Sequence, residues 1–171
     1  MCIRDSCRYL DGKLRWQDPS SVWTETVFRF FSEYNKKQHT PFKEEREYMK
    51  IDYIWRYDLE RDKRTDIVLA VEHEANVSNI REILSKEMRH LIDIKAYNKV
   101  GIFYINLAEE DEFVNRVSEL ISRVLPYRYE SYLIIIGYSA GEGKRMLFKG
   151  FFLNEEGKLI KQKKCVINQR Y

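Results

Sequence analysis

Cysteine is scarce in this 171-residue chain and poorly spaced for chemistry: Cys2, Cys7 and Cys165 are the whole supply. The number is odd and no pair has a C-x-x-C spacing, which excludes a zinc ribbon and a disulfide framework. Free thiols in a reducing cytoplasm are the expectation. Long apolar runs are absent too: none reaches the roughly 18 residues that a membrane span needs. The first residues lack the apolar segment of a signal peptide, so a secretory leader is not expected. Net charge is only +3, too little by itself to argue for a nucleic-acid partner. G-x-G-x-x-G, H-E-x-x-H and G-x-S-x-G are all missing. Gly141-Glu-Gly143-Lys144 lacks the remainder of a phosphate loop and a following helix. No internal repeat, linker or low-complexity segment is visible.

What the chain does have is a balanced globular composition, 44% hydrophobic and 33% charged, in a length that suits one domain. The opening Met1-Cys-Ile-Arg-Asp-Ser6 reads like a translated sequencing adapter, so residues 1–6 are set aside as non-native. Residues 1–18 are expected to be an arm with a turn at Asp11-Gly12, and 19–171 a single domain. Pro19-Ser20-Ser21 opens a helix. Val22, Trp23, Val27, Phe28, Phe30, Phe31 and Tyr34 recur at helical spacing up to about Lys37. Glu25 lies one turn from Arg29 on that helix, which fits a surface pair.

After His39-Thr40-Pro41, alternating residues predict a strand over 47–57 and another over 65–74, joined antiparallel by the charged hairpin Asp58–Arg64. The second strand, Ile67–Val71, is apolar on both faces and ends in Glu72-His73-Glu74. Period two puts Glu72 and Glu74 on one face and the His73 imidazole on the other. With Asp52 on the neighbouring strand, three carboxylates come within reach of one concave site. Acids at the end of a buried strand repel each other and are costly to desolvate, which a bound cation relieves. The same pattern also fits a strand that emerges into water at Glu72.

A helix is expected over 78–98, with Ile80, Ile83, Leu84, Met88, Leu91 and Ile94 in one stripe. Lys95 falls inside that stripe, either snorkelling at the helix end, pairing with Glu87 or reaching the carboxylates. Lys86, His90, Asp93 and Tyr97 form a polar ridge, the usual mark of a solvated face. A buried strand over 99–106 follows through a helical crossover and should lie parallel to the preceding one. A helix over 109–125 stopped by Pro126, a central strand over 132–138, and a hairpin of 145–153 with 159–167 complete the pattern. The tail carries Lys158, Lys161, Lys163, Lys164 and Arg170 with no acid among them. It reads as a solvated edge strand, or alternatively as a phosphate-contacting one.

This order predicts an α/β fold, a mixed central β-sheet flanked by helices. Over about 20–106 the chain resembles the PD-(D/E)XK nuclease superfamily, whose core is αβββαβ, here with extra C-terminal strands. The resemblance rests on Asp52 in Lys50-Ile-Asp52-Tyr and on Glu72-His73-Glu74 where the acid-x-lysine motif falls, with residues 42–48 as the source of a first core strand. It implies metal ligation by Asp52, Glu72 and the His73 backbone carbonyl, with Glu25 of the first helix as a further ligand. The metal would be Mg²⁺ or Mn²⁺, and the activity hydrolysis of nucleic-acid phosphodiesters, DNA before RNA. The sequence departs from the pattern in one place: Glu74 stands at the lysine position. The resemblance then implies Glu74 itself, or a lysine moved to the following helix, Lys95 with Lys86 behind it, as the group that orients or deprotonates water. Arg56, Arg64 and Tyr97 would hold the phosphate backbone. An inert module of the same fold, binding nucleic acid or a protein partner, is the competing expectation, and an unrelated α/β protein with solvated acids a third. Oligomeric state is not legible, a homodimer being left open.

Overall fold

The computed structural model describes residues 9, 13–14, 18–77, 79–124, 129–139 and 145–168. Most of the expected arm over 7–18, the Gly141–Gly143 turn, Ser78, Pro126 and Arg170 lie outside the described residues, as do residues 1–6, Cys2 and Cys7. The elements are helix α1 (Ser20–Lys36), strands β1 (Lys43–Tyr48) and β2 (Ile51–Arg56), a helical turn α2 (Leu59–Asp62), β3 (Ile67–Val77), short helices α3 (Ile80–Ser85) and α4 (Glu87–Asp93), β4 (Ala96–Tyr104), a 3₁₀ turn (Leu107–Glu109), α5 (Glu110–Ser122), β5 (Ser131–Ser139), β6 (Arg145–Asn154) and β7 (Leu159–Asn168).

The seven strands form one sheet whose spatial order repeats the chain order, β1 to β7. β3, β4 and β5 run parallel, because each pair is joined by a helical crossover. The other neighbours are antiparallel. The sheet is therefore mixed and covered on both faces. On one face α1 lays Trp23, Val27, Phe28 and Phe31 over Tyr53, Trp55, Val71, Val100 and Tyr104. On the other, Ile83, Met88, Leu91, Phe113 and Val117 from α3, α4 and α5 pack over Ile54, Ala70, Phe103 and Ile134. Such two-sided cover explains why β3 to β5 read as continuous apolar runs.

Several boundaries differ from the sequence expectation. The strand expected over 47–57 is the shorter β2, and residues 43–48, within the segment expected to supply a first strand, form β1, which pairs with it across a tight turn at Met49-Lys50. Glu47, Met49 and Lys50 all have positive φ, between 50° and 71°, so that reversal is made by non-glycine residues in the left-handed region. The Asp58–Arg64 hairpin contains a helical turn: Asp58 caps it by accepting the Glu60 N–H, and Lys63 ends it in αL. The helix expected over 78–98 breaks at Lys86 (φ −113°, ψ −75°) and ends at Asp93. Parallel pairing of Ala96 with Ile67 claims residues 96–98 for β4 instead. A helical wheel cannot register that competition, since the long-range ladder overrides local periodicity. Lys95 thus sits in the exposed link before β4, not on an inward helical stripe.

Gly157 closes the β6–β7 turn with φ +77°, and a Cβ there would collide with the Ser118 carbonyl of α5. The basic residues Lys161 and Lys164 are exposed on β7, which pairs with β6 and, among the described residues, forms an edge of the sheet. Cys165 is a free thiol on the same strand.

Candidate metal centre

Asp52 and Glu72 meet across β2 and β3, two adjacent strands whose pairing ends at Tyr53 and Val71. Beyond that point the Asp52 side chain takes over the work of the ladder, its Oδ2 accepting the His73 backbone N–H at 2.7 Å. The Glu72 carboxyl is hydrogen-bonded to Asp52 as well. Glu72 is 1% exposed, and desolvation followed by the Asp52 charge pushes its carboxyl up to about 10. Burial also raises Asp52, an effect opposed by the His73 N–H and the Glu72 hydrogen bond. A buried carboxyl and a half-buried one thus stand side by side, an arrangement that disfavours a second negative charge.

Helix α4 completes the site from above the sheet. Glu87 and His90 are one turn apart, so both project toward β3. One oxygen of Glu72, one of Glu87 and a ring nitrogen of His90 lie within 4.8 Å of one another. His90 Nδ1 is 3.7 Å from Glu72 Oε1 and 3.9 Å from Glu87 Oε2, beyond hydrogen-bonding distance. Both Glu72 Oε1 and His90 Nδ1 are enclosed and make no hydrogen bond. Glu87 is raised by burial and by the nearby charges of Glu74 and Asp52. This donor set fits a divalent cation: two carboxylates and an imidazole, with two of the donor atoms buried and otherwise unsatisfied.

Of the residues singled out in the sequence, the structure brings Asp52 and Glu72 together and keeps Glu74 within electrostatic reach of Asp52. Glu25 belongs elsewhere. It sits on α1, which covers the opposite face, and its carboxylate pairs with both Arg46 guanidinium nitrogens at 2.6 and 3.1 Å rather than with Arg29. The His73 imidazole does turn away from the acids, as alternation requires, toward Thr24 Oγ1 (3.1 Å) and Tyr104 OH (3.3 Å). Lys86 pairs with Glu82 at 2.6 Å on the exposed side of α3. Arg56 is held by Glu45 of β1 at 2.5 Å, and Arg64 stacks over Tyr57, 3.5 Å from the ring centre. Neither guanidinium is disposed as an open phosphate clamp.

The sequence reading missed Glu87 and His90 as site residues, having placed His90 on a solvated ridge. Their i, i+3 spacing just after an acid-ended strand was the available signal. A groove of about 500 Å³ opens beside the cluster, with His90 in its wall next to Lys50, Asp93 and Lys95. Comparison of the chain with protein-family models, with curated proteins and with solved structures returns no match. No helix among the described residues is long and apolar enough to cross a membrane.

Proposed function

We propose that this chain is a divalent-metal-dependent nuclease that hydrolyses phosphodiester bonds of DNA, built on a restriction-endonuclease-like core running from α1 to β4. The observation that carries the reading is the half-buried Asp52 beside the buried Glu72 on adjacent strands, with a Glu72 oxygen left unsatisfied toward α4. The element order from α1 through β1, β2, β3 and α3–α4 to β4 agrees with that core. A cytoplasmic location, with Cys165 as a free thiol, goes with it.

Asp52 and Glu72, with the His73 main-chain carbonyl beside them, would hold Mg²⁺ or Mn²⁺. The cation, when bound, supplies a Lewis acid that offsets negative charge on the phosphate under attack. Asp52 is preoriented for this by the His73 N–H, which fixes its carboxylate without neutralising it. Glu74 stands two residues beyond Glu72 on the same face, where it can orient water or take its proton. Lys50 and Lys95 line the adjoining groove, and their ammonium groups suit backbone phosphate oxygens.

A second reading has its own support. Glu74 stands at the lysine position, and Lys95 sits in an exposed link and not on an inward helical stripe. That favours an inert module of the same fold, binding nucleic acid or a protein partner. Incubating supercoiled and linear DNA with the protein and Mg²⁺ or Mn²⁺, beside Asp52→Asn, separates the two. Cleavage lost in the variant supports the nuclease. DNA retained without cleavage supports the inert module, and absence of both binding and cleavage removes nucleic acid from the account.

A further inference from the structure

The metal reading above leaves open which ion the centre selects, and His90 bears on that choice. Nitrogen is unusual company for a carboxylate pair destined for magnesium. Mg²⁺ is a hard ion that keeps oxygen ligands and several waters. Imidazole suits the later first-row ions, and Mn²⁺, though it too favours oxygen, accepts a mixed nitrogen and oxygen set more readily than Mg²⁺ does.

The geometry around His90 is specific. Its ring is 31% exposed overall, yet Nδ1 is the enclosed atom, directed at Glu72 Oε1 rather than at solvent. Glu72 is almost wholly buried, and its Oε1 faces the ring at 3.7 Å without a hydrogen bond. Buried polar atoms are nearly always satisfied, so two that face each other unsatisfied mark a place for a third party. Glu87 Oε2, 3.9 Å from the same nitrogen, closes the triangle. An ordinary patch of solvated acids does not look like this, because its oxygens would be open to water. The exposed remainder of the ring lines the groove that holds Lys50 and Lys95, which gives an ion and a phosphate a common approach.

We infer that Glu72, Glu87 and His90 form a mixed oxygen–nitrogen centre for a first-row transition ion such as Mn²⁺ or Co²⁺, and that His90 is the residue that discriminates against Mg²⁺. This inference rests on the metal-dependent reading but can fail separately from it.

The test uses the full chain, stripped with chelator, and titrated calorimetrically with Mg²⁺, Mn²⁺ and Co²⁺. Mn²⁺ and Co²⁺ are expected to bind at least about tenfold more tightly than Mg²⁺. Pulsed electron paramagnetic resonance of the Mn²⁺ form should show coupling to one ligand nitrogen. His90→Ala should remove that coupling and weaken Mn²⁺ and Co²⁺ binding by about tenfold or more, leaving Mg²⁺ little changed. His90→Asn, which offers an oxygen in place of the nitrogen, should keep a folded site and lose the preference for Mn²⁺ over Mg²⁺. Circular dichroism of both variants checks the fold. Equal affinity for Mg²⁺ and Mn²⁺ in the parent protein, or nitrogen coupling that survives in His90→Ala, overturns the inference. In that case metal-dependent DNA cleavage abolished by Asp52→Asn would still uphold the nuclease reading. Failure of every divalent ion to bind overturns both.

Discussion

Asp52 is clipped to the main chain of its neighbour: its Oδ2 lies 2.7 Å from the His73 backbone nitrogen, at the point where the β2–β3 ladder has run out. One carboxylate thus has a structural task and a proposed chemical one, and two substitutions separate them. Asp52→Asn keeps an acceptor for the His73 N–H but loses the negative charge. It should fold with nearly parental stability, bind divalent ions more weakly and lose any DNA cleavage. Asp52→Ala leaves the N–H without its partner and should cost roughly 1–3 kcal/mol by denaturant titration. Equal stability of the two variants would show that the clip contributes nothing.

Glu72→Gln should raise the stability of the metal-free protein. Burial and Asp52 push the Glu72 carboxyl up to about 10, so the native state holds a proton that the unfolded chain releases above its ordinary value of 4.5. The favourable contribution is full below 4.5 and is lost as pH rises toward 10. Glutamine removes that loss while filling the same space. Thermal melts at pH 8 should therefore show a higher Tm for the variant without metal, and no further rise when Mn²⁺ is added. A lower Tm in the metal-free variant would contradict this account.

His73 acts in the opposite direction. Burial lowers its imidazole to about 4 from 6.5, so the unfolded chain takes up a proton that the native state refuses. Stability from this group is complete above pH 6.5 and lost as pH falls to about 4, a change of about 3 kcal/mol. His73→Gln should flatten the stability profile between those limits. An unchanged slope would mean that the ring is protonated in the folded state.

A buried ammonium offers a stability test away from the metal. Lys99 Nζ donates to Glu130 Oε2 and the Ile92 carbonyl, both at 2.9 Å, and to Tyr132 OH at 3.2 Å. Lys99→Met strands the buried Glu130 carboxylate and should cost about 3–5 kcal/mol. Adding Glu130→Gln should recover a large part of that loss in a double-mutant cycle. Additive losses would exclude coupling between the two side chains.

Much of this architecture was legible in the sequence. The doubly covered strands announced themselves as apolar runs, and the alternation after Val71 put Glu72 on the face opposite the His73 ring. The antiparallel β2–β3 pair and the parallel β4 followed from their connections. What stayed hidden depended on contacts distant in the chain. A wheel drawn through 78–98 as one helix turned Lys95 inward and His90 outward. The break at Lys86 and the pairing of Ala96 with Ile67 reverse both assignments. Glu25 looked available because its partner, Arg46, lies 21 residues away on another element. Lys99 sat unnoticed in an apolar strand because Glu130, 31 residues on, is what makes its burial tolerable.

The sheet's seven strands stand side by side in the order they are synthesised. Each strand, on emerging, finds its only earlier neighbour already translated, and none has to be inserted between two others. The longest loop closures are the two crossovers flanking β4, since the remaining pairs are separated by shorter stretches of chain. Assembly can therefore proceed from one edge to the other like a zip, so that the carboxylates of β2 and β3 can come together before the second half of the sheet exists.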